Sequence, residues 1–153
     1  MKLTSRGEYA LRALLVLGLN AGKGAIRIQT ISEQQNIPKR FLEQILNDLK
    51  AAGIVASKRG VEGGYQLMMP PENITLAHVI RHVEGALAPV SCVSERYYEK
   101  CTCPNEATCA IRTAMKEVRD AIVAILEKTT LAELCQRSQK LTGAAELPVE
   151  YCI

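Results

Sequence analysis

The order of helical and extended segments in the first 71 residues constrains the fold of this chain most strongly. Apolar residues at helical spacing predict three helices, over residues 5–20, 30–35 and from Pro38 to Gly53. Two short strands, 54–57 and 65–68, follow and are joined by a glycine-rich loop. This is the order of a winged helix-turn-helix, so we predict a mainly α-helical fold with a small β-hairpin.

Capping signals place the predicted helix ends. In a capping box, a Ser or Thr and a Glu three residues later bond to the first amides of a helix. Three pairs have this spacing: Ser5 with Glu8, Thr30 with Glu33, and Thr130 with Glu133. Pro38 fits the first turn of the third helix, because its missing N–H would be unpaired there in any case.

The second half of the chain predicts further helices around a loop. A helix is expected from Thr75 to about Val83, and residues 90–108 lack periodicity and are expected to form a loop. A long helix follows, whose apolar residues alternate at spacings of four and three, as in a helix that packs against a partner helix. These residues are Ile111, Met115, Val118, Ile122 and Ile125.

We divide the chain into three parts. Residues 1–71 form the predicted winged helix-turn-helix domain, and residues 72–141 hold the cysteine loop and the dimerisation helices, the last of which ends near Lys140. Residues 142–153 are expected to form a flexible tail.

Composition argues against several other classes of protein. One phenylalanine, five tyrosines and no tryptophan favour a core of Leu, Ile and Ala in helices over a β-sandwich. The longest apolar stretch, residues 9–20, contains Arg12 and is too short to span a bilayer. The N-terminus has no apolar signal core. We therefore expect a cytoplasmic protein with no membrane partner.

The charge is unevenly distributed. Residues 1–70 hold ten Lys or Arg and five Asp or Glu, which gives a net charge of +5. Residues 71–153 carry a net charge of −2. A basic head on a nearly neutral body is typical of a protein that binds a polyanion, although a basic surface alone is a weak signal.

The third helix is the strongest candidate site, since the second helix of a helix-turn-helix pair enters the DNA major groove with its N-terminal end. Arg40 suits guanine, Gln44 suits adenine, and Glu43 can accept a hydrogen bond from cytosine. Lys39 suits a phosphate. Phe41, with Leu42 and Ile45, is expected to face inward.

The hairpin loop adds Lys58 and Arg59 at its predicted tip, where an arginine is well placed for an adjacent minor groove. Three glycines in the loop allow a close approach of the backbone to DNA, or serve only the hairpin turn. The alternative for the whole domain is a winged helix used for protein contacts.

The apolar stripe over residues 111–125 predicts a homodimer, and a two-fold dimer would bind a pseudo-palindromic double-stranded operator. The alternative is that the stripe packs within its own chain.

Cysteines 92, 101, 103 and 109 fall within eighteen residues, before the start of the long helix. Cytosolic thiols are kept reduced, so such a group more often binds metal or senses redox state than forms disulfides. Thiolates are the ligands of iron–sulfur clusters. The spacing differs from the paired C-x₂-C of a zinc ribbon, and Cys101 and Cys103 form only a C-x-C. Cys135 is expected to be a buried inert thiol, and Cys152 to have no role.

Several segments of the chain form one pattern: MKLTSRGEYALR at residues 1–12, IPKRFLEQIL at 37–46, LKAAG at 49–53 and RGVEGGYQL at 59–67. The cysteines that precede a helix and the sequence TLAEL at 130–134 complete the pattern, which covers about residues 1–135. In these motifs and their order, the chain resembles the IscR, NsrR and RirA type of bacterial transcription regulators.

The resemblance implies a homodimer whose DNA affinity is controlled by an iron–sulfur cluster, either [2Fe-2S] or [4Fe-4S]. The three ligand cysteines of the family correspond to Cys92, Cys103 and Cys109, with Cys101 as an alternative to Cys103. Arg112 stands where one branch has a ligand histidine. Another branch uses a carboxylate near the N-terminus of the partner subunit, and Glu8 holds that position.

The sequence therefore predicts a transcriptional regulator, not an enzyme, that senses iron, redox state or nitric oxide and controls iron–sulfur biogenesis or iron and redox genes. A cluster-free regulator of the same fold that responds to thiol oxidation or to a partner is the alternative. An electron-transfer or thiol-exchange enzyme is a third, weaker hypothesis.

Overall fold

The computed structural model describes residues 2–145, and within them the chain forms six α-helices and one two-stranded sheet. The helices are α1 (Ser5–Leu19), α2 (Ile28–Gln35), α3 (Lys39–Ala51), α4 (Leu76–Val83), α5 (Ala110–Lys128) and α6 (Leu131–Ala145). The strands are β1 (Val55–Lys58) and β2 (Gly64–Leu67). This agrees with the predicted mainly helical fold with a β-hairpin.

Short 3₁₀ turns occupy Pro71–Asn73, Ser91–Val93 and Glu106–Thr108. The last two lie in the segment predicted as an irregular loop. The strands are antiparallel, with Val55 opposite Leu67 and Lys58 opposite Gly64.

Two predicted capping boxes are wrong. Thr4, not Ser5, caps α1: its side chain accepts a hydrogen bond from the Gly7 amide. Thr30 lies inside α2, which begins two residues earlier and has Arg27 as its N-cap. Both errors arise because a Ser or Thr on the first turn of a helix has the same local sequence as one at the cap.

The other predicted caps agree with the structure. Thr75 caps α4 by accepting from the His78 amide, and Thr130 accepts from the Glu133 amide at the start of α6. Helix α6 continues to Ala145, beyond the predicted end near Lys140, so residues 142–145 are helical. Residues 146–153 of the predicted tail, including Cys152, lie outside the described residues.

One hydrophobic core joins the two halves of the chain. Leu14, Leu42 and Leu46 are fully buried in it, and full burial of a leucine side chain contributes about 1.5–3 kcal/mol. Leu131 and Cys135 of α6 belong to the same core. The predicted domain boundary at residue 71 stays a prediction. Helix α6, which follows that boundary in the chain, packs against α1, which precedes it.

Among the described residues 2–145, no helix combines the length and apolar character needed to cross a membrane.

Candidate functional site

Helix α3 presents a polar surface on its first two turns to solvent, while its opposite side is buried. Lys39, Arg40, Glu43 and Gln44 are exposed. Leu42, Ile45, Leu46 and Leu49 are buried in the core. The four predicted base-contacting or phosphate-contacting side chains therefore share one accessible surface at the N-terminal end of the helix.

Phe41 does not face inward as predicted. Its side chain is 57% exposed, beside Arg40 on the same first turn. The sequence pattern suggested burial because Phe41 adjoins Leu42 and is strongly apolar. The structure shows that α3 needs only Leu42, Ile45, Leu46 and Leu49 to fill the core.

The hairpin, or wing, is fixed to the start of α2. Ile26 and Tyr65 exchange two backbone hydrogen bonds of 2.8 Å, and Arg27 Nη2 donates to the Val61 carbonyl oxygen at 2.8 Å. Val61, at 86% exposure, marks the tip of the wing. Lys58 is not at the tip, because it is the last residue of β1, whereas Arg59 lies in the loop.

Two of the wing glycines serve the fold of the hairpin. A Cβ at Gly64 would overlap the backbone oxygen of Ile26, and one at Gly63 would come within 2.6 Å of the Lys58 carbonyl oxygen. Of the two alternatives that the sequence left open for the wing glycines, the hairpin turn accounts for Gly63, whereas Gly64 allows the close approach of β2 to Ile26.

Arg112 connects the two ends of the cysteine loop. Cys109 is the N-cap of α5, and its Sγ accepts from the Arg112 amide at 3.4 Å. The Arg112 Nε donates to the backbone oxygen of Cys92 at 3.3 Å. Arg119 lies about two turns further along α5, and its Nη1 donates to the Val93 backbone oxygen at 2.8 Å. These arginines hold the buried Cys92 turn against α5, a role that the sequence analysis did not identify.

Cys101 and Cys103 are joined by a disulfide. The sequence favours metal binding or redox sensing over disulfides for the loop cysteines, and this pair departs from that preference while agreeing with the thiol-oxidation alternative. Their separation of two residues brings the sulfurs within reach of each other. Cys92 and Cys109 are free.

Glu106 holds the middle of the loop. One of its carboxylate oxygens accepts from the Cys101 amide at 3.1 Å and the other from the Tyr98 hydroxyl at 2.8 Å. Both hydrogen bonds lower the pKa of Glu106, and the bond from the Cys101 amide has the larger effect. The same carboxylate raises the pKa of Tyr98.

The cysteines suit an iron–sulfur cluster in their chemistry but not in the arrangement that the structure describes. Cys109 lies at the N-terminus of a 19-residue helix, which favours an anionic sulfur. Cys103 offers no thiolate until its disulfide is reduced. Within residues 2–145, no three His, Cys, Asp or Glu side chains converge as a metal site requires. The ligand set Cys92, Cys103 and Cys109, with Cys101 as the alternative, stays a prediction.

Glu8 is exposed on α1 and lies 3.6 Å from Arg12, one turn along the helix. It has no part in capping α1, which Thr4 performs, so its carboxylate is accessible from outside the protomer. Its assignment as a ligand from a partner subunit stays a prediction.

Cys135 agrees with the expectation of an inert thiol. It is 9% exposed, and burial raises its pKa.

The fold, the exposed polar surface on the first two turns of α3 and the wing define a winged helix-turn-helix protein of the DNA-binding class. The family model described as "Rrf2: Iron-dependent Transcriptional regulator" matches residues 3–137. The chain therefore belongs to the Rrf2 family of transcriptional regulators, which confirms the resemblance to the IscR type.

Individual relatives cover most of the chain. An rrf2-like transcriptional regulator of Rhodobacter capsulatus is 38% identical over 86% of this chain and 91% of its own length. The regulator IscR of Aliivibrio salmonicida is 36% identical over 88% of this chain and 77% of its own. The structure of CymR, the global cysteine regulator of B. subtilis, matches with a TM-score of 0.76 and 31% identity over 90% of this chain and 98% of that one.

These relatives are transcriptional regulators and not enzymes, which confirms that part of the prediction and removes the thiol-exchange enzyme as a hypothesis.

The Tyr98–Glu106 bond predicts a measurable titration. Tyr98→Phe is expected to raise the pKa of Glu106 toward its ordinary value, because one donor to the carboxylate is lost. The stabilisation from a lowered carboxyl pKa is present above the ordinary Glu pKa and is lost as the pH falls through the folded pKa. Carbon-detected NMR titration of Glu106 checks this. Tyr97→Phe is the matched control, and an unchanged Glu106 pKa in Tyr98→Phe would contradict the assignment.

Proposed function

We propose that this protein is a cytoplasmic homodimeric transcriptional regulator that binds a pseudo-palindromic operator with α3 and the wing. The observation that carries this is the common exposure of Lys39, Arg40, Glu43 and Gln44 on the first two turns of α3. The net charge of +5 over residues 1–70 supports it, since basic residues near DNA release counterions from the phosphates.

Each side chain has a role that its chemistry suits. Arg40 and Gln44 make bidentate contacts to guanine and adenine, and Glu43 accepts from cytosine. Lys39 neutralises a phosphate. In the wing, Arg59 enters the minor groove and Lys58, at the end of β1, contacts the backbone. Phe41 joins this set, because an exposed aromatic ring beside these side chains would contact the methyl group of thymine.

The contact of Phe41 can be tested without knowing the operator. A fragment of the gene's own promoter amplified with dUTP in place of dTTP lacks every thymine methyl. The wild-type protein should bind it about fourfold more weakly per contacted methyl, since burial of one methyl contributes about 0.8 kcal/mol. Phe41→Ala should lose this preference, as measured by fluorescence anisotropy. Lys140→Ala, on α6, is the control and should keep it. An equal preference in Phe41→Ala would remove Phe41 from the interface.

Helix α5 supports the dimer. Ile111, Val118 and Ile125, spaced seven residues apart, are 73%, 43% and 65% exposed, so they leave an apolar stripe uncovered within the protomer. Leu126 and Val123, on another side of the helix, pack against α4 and the loop that follows it. The stripe is thus separate from the surface that α5 uses in its own chain, and a second copy of α5 fits it.

Val118→Glu tests the dimer. It should raise the dimer dissociation constant by about 100-fold or more, because an unpaired carboxylate buried between two helices costs several kcal/mol. Sedimentation velocity measures the shift to monomer. Ala124→Glu adds the same charge at an exposed position roughly 120° around the helix, and it should leave the dimer intact. A dimer unaffected by Val118→Glu would contradict this use of the stripe.

The DNA affinity of this dimer is controlled, in our proposal, by an iron–sulfur cluster held by Cys92, Cys103 and Cys109, with Glu8 from the partner subunit as the fourth ligand. Four cysteines within eighteen residues at the N-terminus of α5 carry this part of the proposal. The cluster would supply a redox-active group that reacts with oxygen or nitric oxide. Iron, redox or nitric oxide status would then set the transcription of iron–sulfur biogenesis or iron and redox genes.

Cys101→Ser separates the two candidate ligands. If Cys103 is the ligand, this variant should take up iron and sulfide without a dithiol, because Cys103 is then always free. The wild type should need dithiothreitol, which supplies two electrons and two protons to the disulfide. Cys103→Ser should stay colourless. Iron and sulfide analysis with absorbance spectra under anaerobic conditions measures loading, and the opposite pattern would assign Cys101. A cluster in the triple variant of Cys92, Cys103 and Cys109 to Ser would overturn the site.

The second candidate is a cluster-free regulator that responds to thiol oxidation or to a partner. The disulfide between Cys101 and Cys103 favours it. A colourless anaerobic protein whose promoter affinity differs between its reduced and oxidised forms would support this candidate against the first.

A further inference from the structure

Glu84 joins the end of α4 to the beginning of the chain. This residue follows the last turn of α4 and directly precedes Gly85. Its Oε1 accepts three hydrogen bonds from the N-terminus of α1: from the Thr4 amide at 3.0 Å, the Thr4 hydroxyl at 2.6 Å and the Gly7 amide at 3.0 Å. A carboxylate at this place suits the positive end of the dipole of α1.

Gly7 lies directly against this carboxylate, and its backbone conformation does not call for glycine. It lies in the first turn of α1, where glycine is less favourable than alanine. A Cβ at residue 7 would overlap Glu84 Oε1 and would come within 2.8 Å of Leu3 Cδ1. The chain therefore uses a poor helix former where α1 must leave room for the carboxylate.

Residues close to Glu84 also contact α3. Arg6, between Thr4 and Gly7, forms an ion pair with Asp48 of α3. The His82 Nε2 of α4 lies 3.1 Å from the Asp48 backbone oxygen. Helices α1, α3 and α4 are thus connected within a few residues of Glu84.

The residue that follows Glu84 in the chain, Gly85, forms a turn against the cysteine loop. Gly85 has a φ of 90°, which favours glycine, and the Tyr97 ring of the cysteine loop lies 3.8 Å from the position of its absent Cβ. A rearrangement of the loop that moves Gly85 must move the Glu84 carboxylate, or release it from Thr4 and Gly7.

We propose that Glu84 is a positioning residue that transmits the state of the cysteine loop to α1 and α3. It does not contact DNA or the cysteines. It fixes the N-terminus of α1, and through Arg6 and Asp48 it fixes the orientation of α3. This inference rests on the proposed regulation of DNA binding by the loop, and it names the connection through which that regulation acts.

The first test needs neither cluster nor DNA. In Glu84→Ala, the Gly7 amide should exchange with solvent roughly tenfold faster, because its shorter hydrogen bond is lost and only the 3.5 Å bond to the Thr4 hydroxyl oxygen remains. Gly7→Ala should lower the thermal midpoint in the wild type but raise it in the Glu84→Ala background, since the clash with the carboxylate is then gone, the flexible end of the Leu3 side chain can shift, and alanine favours the helix. A Gly7→Ala effect of the same sign in both backgrounds would show that the contact is absent and would overturn the proposal.

The second test separates transmission from mere stability. The promoter affinity of anaerobic protein is measured after reconstitution with iron and sulfide and again after removal of iron by a chelator. The wild-type ratio of the two dissociation constants should fall in the usual range of allosteric coupling, roughly 5–150-fold. Glu84→Ala should load the same amount of iron with a ratio close to one. Glu84→Gln, which keeps an acceptor oxygen, should restore part of the ratio, and Glu133→Gln, on α6, is the control and should retain all of it.

The outcomes are distinguishable. If both dissociation constants of Glu84→Ala change by the same factor, so that the ratio equals that of the wild type, Glu84 has only a structural role and this inference is wrong while the proposed function stands. If the wild-type ratio is itself one, the proposed switch fails, and with it the role of Glu84.

Discussion

The burial of α1 is the interaction on which the rest of the structure depends. This helix packs against α2, α3, α4, α6 and β2. Ala10, Ala13 and Leu14 have no exposed surface, and the small alanines let neighbouring helices approach closely. At the other end of the helix, a Cβ on Gly18 would come within 2.7 Å of Cys135 Sγ. The DNA-binding unit and the C-terminal helix therefore share one close-packed interior and respond together to a shift of α1.

The sequence predicts those parts of the fold that local periodicity determines. The number and order of helices, the hairpin, and the caps at Thr75 and Thr130 all follow from residues close together in the chain. The errors at Ser5 and Thr30 concern which of several neighbouring polar residues occupies a cap. The error at Phe41 has another origin: hydropathy does not show how many apolar residues the facing helices can accommodate, and geometry alone decides that the ring lies outside the core.

The contacts of the candidate site are mostly nonlocal, and for that reason the sequence did not reveal them. Glu84 meets Thr4 across eighty positions, and Arg112 meets the Cys92 carbonyl across twenty. A single glycine in the first turn of α1, Gly7, was the only available signal of a close approach there. The argument from the reducing compartment disfavours a disulfide between Cys101 and Cys103, whereas the thiol-oxidation alternative allows one.

Helix α5 is held at both ends by parts of its own protomer. Cys109 and Arg112 anchor its start to the Cys92 turn, and Thr129, which follows its last residue, bonds through its backbone oxygen to the Leu76 amide of α4. Its nineteen residues extend about 29 Å at 1.5 Å per residue. A helix of that length amplifies small rotations: a tilt of about 5° at the end near the cysteines displaces the other end by about 2.5 Å. In a dimer formed through two such helices, a small change of angle would alter the distance between the two α3 helices. They would then no longer match the spacing of two half-sites on a rigid duplex.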